Sequence, residues 1–260
     1  MKTFTILGMC NTRFPDYEFN QKILENNPEA VNPLAYDLGL SKELAFHDVY
    51  SISDPELLSL IPRPALALLV IIPLTPTWKE TREREDGAKG EYTGSGESEP
   101  VIWFKQTIHN ACGSYGLIHC VLNSPEARKK IIPGSEFERI LHKAIPLKMK
   151  ERAAVLEESD VLEAAHEAAA KLGDTIPPAD AEEAHRQGHH FVAFVKAKDG
   201  HLWELEGVRK GPLDRGALAN DEDVLSEAAL NKGLGRLMEI EREKGGDLRF
   251  SCLALAPSIA

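Results

Sequence analysis

The sequence predicts a mixed α/β (α+β) protein built on one central, mainly antiparallel sheet flanked by helices. Three observations carry that prediction. Residues 65–73 form an unbroken apolar run bounded by prolines, the pattern of a strand buried on both faces. Residues 191–195 and 202–205 flank Asp199-Gly200, a β-hairpin signal that makes at least one strand pairing antiparallel. Residues 135–144 and 146–171 look helical, the second with a rough apolar stripe and charge between. Strands and helices are mixed along the chain and no internal repeat is visible.

Bulk properties narrow the function. The 260 residues can bury a substantial core, and 43% hydrophobic with 27% charged residues is ordinary for a globular protein. A formal net charge of −11 argues against a nucleic-acid partner, which needs clustered Lys and Arg, and suits a basic protein partner. Cys10, Cys112, Cys120 and Cys252 form no disulfide-like spacing, so a reducing compartment is expected, the cytoplasm or also the nucleus. The N-terminus is too interrupted for a signal peptide, and the longest apolar run is too short to span a membrane.

In chain order, residues 1–22 read as an N-terminal extension and residues 23–260 as one domain. Asn27 caps a helix to about residue 38, with Pro28 in its first turn and Glu29 facing the helix dipole. Residues 48–53 read as a short strand, and Ser53 or Asp54 opens a short helix. Residues 79–100 are charged, Gly/Ser-rich and nearly free of large aliphatics, and read as a mobile surface loop. Residues 172–188 contain two prolines and no periodicity, and read as a long loop. A helix over 222–245 and a strand over 248–255 close the chain.

The chemistry concentrates in residues 106–122. Leu117, Ile118, Val121 and Leu122 have helical spacing and Asn110 reads as a cap, so Cys112 falls in the first turn. There the dipole and unpaired N–H groups stabilise a thiolate. Gly113 leaves room for a substrate carbonyl, and Gln106 can offer its amide to a developing oxyanion beside the Cys112 N–H. Cys120 sits in the helix among aliphatics, Cys10 and Cys252 lie in strand-like runs, and all three read as core residues. A thiolate needs a base; His190, at the start of a strand, is the candidate, whereas His119 lies too far along the helix to reach the sulfur. Glu206 on the return strand can orient His190 in one register only. A three-residue turn, Lys198-Asp199-Gly200, pairs Glu206 with Val192 and puts it on the face of His190. A two-residue turn would face it away.

These residues resemble the ubiquitin C-terminal hydrolases, a papain-like cysteine peptidase family. The resemblance lies in Gln106-Thr-Ile-His-Asn-Ala-Cys112-Gly-Ser-Tyr-Gly-Leu-Ile-His119, Asn27-Pro-Glu29, Asp48-Val-Tyr50, the stretch from Asp54 to Pro64, His190-Phe-Val-Ala-Phe-Val195, Asp199-Gly-His-Leu-Trp-Glu-Leu-Glu-Gly207 and the closing strand. It implies a knotted papain-like fold of the short, free-standing type. It implies Cys112 as nucleophile, His190 as general base and acid, Gln106 as oxyanion donor, and Glu206 where the family normally has aspartate. It implies that residues 172–188 are a crossover loop restricting leaving groups to small adducts, and that Glu25, Glu29 and Asp48 hold ubiquitin's basic tail. No cofactor or metal is implied, and a monomer is expected. The implied activity is hydrolysis of small adducts or short peptides at ubiquitin's terminal glycine, through a thioester. A hydrolase for a ubiquitin-like modifier and a non-catalytic ubiquitin-binding protein are the alternatives.

Overall fold

The computed structural model describes residues 24–87, 89–173 and 188–259. The expectations for residues 1–22, and for nearly all of 172–188, lie outside the described residues. The strands are β1 (Leu44–Asp48), β2 (Ala67–Pro73), β3 (His189–Lys196), β4 (His201–Leu205), β5 (Leu213–Ala217) and β6 (Ser251–Pro257). They form one antiparallel sheet in the order β1-β6-β2-β3-β4-β5. The apolar run 65–73 supplies β2, which is central and flanked by β6 and β3.

Ten helices are described: α1 (Pro28–Asp37), α2 (Pro55–Leu58), α3 (Pro76–Gly87), α4 (Cys112–Asn123), α5 (Pro125–Arg128), α6 (Glu136–Ala144), α7 (Met149–Glu157), α8 (Asp160–Ala170), α9 (Glu227–Lys232) and α10 (Leu234–Glu243). Alternation along the strands sends side chains to two separate cores. Phe191, Ala193 and Val195 face one core with Leu117, Ile118 and Val121 of α4 and residues of α1, α6, α7 and α8. Val192 and Phe194 face the other, with Trp78 of α3 and residues of α9 and α10. The sheet is thus the middle layer of three.

The structure corrects the sequence expectations at several points. The strand at 48–53 lies earlier: Leu44 and Phe46 turn into the core, and Asp48 is the last residue of β1. Residues 79–87 belong to α3, not to a loop. The buried residues of this helix are Trp78, Thr81, Asp86 and Thr77, so aliphatic periodicity could not reveal it. The helix 146–171 is two helices, because the Ser159 side chain caps the second by accepting from Leu162 N. The helix 222–245 starts later and breaks at Gly233. The closing strand runs Ser251–Pro257. β5 was not anticipated.

The hairpin has the expected register. Ala193 pairs Leu205 and Lys196 pairs Leu202, and Ala197 N donates to His201 O at 3.0 Å. The turn is therefore Lys198-Asp199-Gly200, with Gly200 at φ +78. An L side chain in that conformation costs about 1–2 kcal/mol. Gly200→Val should lower the chemical-denaturation midpoint accordingly, and Gly200→Asn by less; equal midpoints for Gly200→Val and the parent would show that the turn does not hold the register.

Candidate active site

Residues 102–107 run antiparallel along α4 and are fastened to one face of it. Asn123 accepts from Ile102 N (2.6 Å) and donates to Ile102 O (2.9 Å). His119 Nε2 accepts from Phe104 N (3.0 Å), and Tyr115 Oη accepts from Thr107 N (3.4 Å). Positions 115, 119 and 123 are one helical turn apart, so they form a single row. His119 is therefore a structural rung: burial, reinforced by Arg152 and opposed by Glu206, pushes its imidazole down to about 3. The segment then reverses at Asn110, which sits at φ +58, and Ala111 rather than Asn110 is the helix cap. Cys112 begins the helix as expected, and the reversal brings Gln106 back to its first turn.

The sheet is open at this point. On the β4 side of β3, the hydrogen-bonded pairs fall at 197/201, 195/203 and 193/205, so the next would join Phe191 to Gly207. That rung is missing. Gly207 O instead accepts from Gln106 N at 2.9 Å. The Phe191 and Gly113 N–H groups instead help to bring the Cys112 thiol below its ordinary value. Gly207 must lack a side chain, because a Cβ would lie 2.6 Å from the Gln106 Cβ. Gly113 is also closely packed: a Cβ there would meet Leu24 at 2.8 Å and Phe191 at 3.2 Å.

His190 shares its face with Val192 and Phe194, the opposite face from α4. The sulfur and the imidazole both reach into the gap, close enough that each shifts the protonation of the other. Glu206, diagonal to His190 across the hairpin, places Oε1 3.0 Å from Nε2. The approach is oblique to the N–H, so the contact is an ion pair first. Nδ1 is the ring nitrogen left for the sulfur. His190 and Glu206 are both buried, and Trp78 of α3 lies against the imidazole with ring centroids 6.3 Å apart.

The electrostatics favour an ion pair. Burial alone would lower His190, but Glu206 and then Cys112 outweigh it and raise the imidazole to about 10. Burial alone would raise Cys112, but His190 and the Phe191 and Gly113 N–H groups bring the thiol below its ordinary value. Burial would likewise raise Glu206, and His190, Arg209 and Arg82 bring it down. Such a site holds thiolate, imidazolium and carboxylate together, which is the resting state of a cysteine nucleophile.

Gln106 lies between Gly207 and the first turn of α4. Its amide nitrogen donates to Ile108 O at 3.1 Å, and its buried Oε1 has no hydrogen-bond partner. Glu25, Glu29 and Asp48 lie at the same end of the sheet. Leu24 packs on the Gly113 position, and Glu25 accepts from Asn27 Nδ2 at 2.8 Å. Helix α1 runs antiparallel to β1, with Tyr36 bonded at Leu44 and Asn32 at Phe46, so Glu29 comes level with Asp48. Asp48 is half-buried and its carboxyl is raised by burial, against His47. Among the described residues, no group of three or more His, Cys, Asp or Glu is arranged to hold a metal ion. The sequence reading missed Trp78, Arg82 and Arg209. Only Arg209 left a signal there, its i,i+3 spacing from Glu206.

Comparison with known proteins gives a consistent result. Residues 22–239 match the model of the family described as ubiquitin carboxyl-terminal hydrolase, family 1. Ubiquitin carboxyl-terminal hydrolase 3 of Arabidopsis thaliana is 34% identical over 235 residues, covering 90% of this chain and 92% of its own. The horse isozyme L1 is 33% identical over 236 residues, covering 90% and 97%. The UCH37 catalytic domain of Trichinella spiralis, solved bound to ubiquitin vinyl methyl ester, shares the fold with a TM-score of 0.67 at 20% identity, over 92% of this chain and 95% of that one.

The ion pair predicts a two-sided pH profile: the thiolate is lost as pH falls through the lowered Cys112 value, the imidazolium as pH rises through about 10. Alkylation of Cys112 by iodoacetamide should have its midpoint below that of an ordinary thiol. In His190→Gln burial is unopposed by the imidazolium, so the midpoint should move up; an unmoved midpoint would show that the imidazole does not hold the thiolate.

Proposed function

The chain belongs to the ubiquitin carboxyl-terminal hydrolase family, and from that premise we propose how its residues carry out a cysteine-type deubiquitinating hydrolysis. The observation that carries the proposal is the Cys112–His190–Glu206 array in the open rung. The Cys112 thiolate attacks the carbonyl carbon of ubiquitin's terminal glycine, and the carbonyl π electrons move onto oxygen. The Cys112 N–H and the Gln106 amide donate to that oxyanion. The intermediate collapses, His190 gives its proton to the leaving group, and a thioester remains on Cys112. His190, now neutral, takes one proton from water as its oxygen attacks the thioester; collapse expels the Cys112 thiolate, which restores the ion pair, and the ubiquitin carboxylic acid loses the second proton to solvent. Glu206 keeps the ring oriented and stabilises the imidazolium in both halves.

Glu25, Glu29 and Asp48 are the residues proposed to receive ubiquitin's basic tail, on the strength of their charge and their shared end of the sheet. The sequence between Gly173, which lies against Glu25, and Gly188, which precedes β3, is short in residues. That favours small adducts or short peptides over folded conjugates. Cys112, Cys120 and Cys252 are all free thiols, which suits a reducing compartment such as the cytoplasm or nucleus.

A ubiquitin vinyl methyl ester probe should attach to Cys112 and leave Cys112→Ala unmodified. Preferential labelling by a probe built on a ubiquitin-like modifier would reassign the substrate, and no labelling by either would leave only a binding role. Gln106→Ala should reduce kcat by about 100- to 1,000-fold while ubiquitin still binds; a variant within a few-fold of the parent would remove Gln106 from the oxyanion site.

A further inference from the structure

Both oxygens of the Glu206 carboxylate meet a cation. Oε1 faces His190, and Oε2 lies 3.1 Å from Arg209 Nε. Arg209 is only 1% exposed, a guanidinium held inside the protein. Its other nitrogens are divided among three more carboxylates: Nη2 is 3.1 Å from Glu85 and 3.4 Å from Glu204, and Nη1 is 3.4 Å from Asp86. Arg215 holds Glu85 at 2.9 Å and Glu204 at 2.7 Å, and Arg236 holds Glu85 at 2.7 Å. Glu85 and Asp86 close the C-terminal end of α3, whose N-terminal end sets Trp78 against His190. The imidazole and the carboxylate that orients it are thus both contacted from α3, Glu206 by way of Arg209.

A bland account makes Arg209 only a cross-link between α3 and the sheet. The division of its nitrogens says more. Glu206 has one more rotatable bond than the aspartate expected at its position, so its length alone does not fix the plane of the carboxylate. The Arg209 Nε contact, an ion pair rather than an aligned hydrogen bond, draws Oε2 away from His190, and the remaining carboxylates hold the guanidinium. Resting on the hydrolase reading above, we propose that Arg209 is a positioning residue, holding Glu206 so that one oxygen stays on His190, and that Glu85 and Asp86 of α3 hold Arg209 in turn.

The test uses the full chain with ubiquitin carrying a small fluorogenic amide. Arg209→Met should lower kcat by about 10- to 100-fold with little change in KM, and Arg209→Lys, which keeps the charge but not the fork, should fall between. The pH profile separates positioning from charge. Among the described residues, the ionisable groups around the His190–Glu206 pair are Cys112 and His119 of α4, Arg82, Glu85 and Asp86 of α3, Glu204 of β4, Arg209, Arg215 of β5 and Arg236 of α10. Deleting a nearby cation by itself would make His190 easier to protonate and move the alkaline limb up. Releasing Glu206 from the ring removes its main partner and moves that limb down. A downward move supports the proposal; an unmoved or upward limb overturns it, whatever the thermal stability does.

Should Arg209→Met fail to fold, Glu206→Asp asks the same question, because the shorter side chain cannot reach both Nε2 of His190 and Nε of Arg209. Its kcat should fall about 10-fold, and a value equal to or above the parent's overturns the proposal. A parent chain that does not react with ubiquitin vinyl methyl ester overturns the hydrolase reading and this inference with it. A reactive parent whose Arg209 variants keep both kcat and the alkaline limb overturns this inference alone.

Discussion

The active site exists because one hydrogen-bonded rung between β3 and β4 does not form. Left to the hairpin register, Phe191 and Gly207 would exchange hydrogen bonds and the sheet would be continuous. The segment before α4 fills that place instead. Gln106 N satisfies Gly207 O, and the Phe191 N–H helps to stabilise the Cys112 thiolate. A donor belonging to the sheet ladder thus serves a thiolate, and two side chains from opposite faces share one space.

The charges around this gap follow from the same enclosure. A buried ion costs several kcal/mol unless it is paired, and removing one partner is worse than never having had the pair. Glu206 therefore stands between two cations, and Arg209 among four carboxylates. The pattern recurs away from the site. Arg152, fully buried, pairs with Glu99 at 2.6 Å and donates to the carbonyls of Ala144, Leu147 and Trp103, so it ties the end of α6 to the segment that runs along α4. The interior carries much of its order as paired charge rather than as aliphatic packing alone.

This explains which parts were legible in the sequence. Elements written in apolar pattern and turn chemistry were read correctly: β2 from its proline-bounded run, α1 from Asn27 and Pro28, and the hairpin register from the three residues ending at Gly200. The register mattered most, since it alone decided that Glu206 and His190 share a face. Elements whose inward side is polar were not legible. The helix α3 buries Trp78, Thr81 and Asp86 and looks from its composition like a solvated loop. Arg209 has the same disguise, because a guanidinium among carboxylates reads as surface until the fold brings α3 over the sheet. Breaks inside helical stretches, at Ser159 and Gly233, depend on a cap and a turn that periodicity does not register.

The row formed by Tyr115, His119 and Asn123 binds residues 102–107 to α4 along most of the helix. The same strip is tied to the far side of the gap as well, since Gln106 N donates to Gly207 O and Trp103 Nε1 to Glu206 O. It works as a rivet: the helix that begins at Cys112 and the strand end that carries Glu206 are pinned to each other by one short stretch of chain.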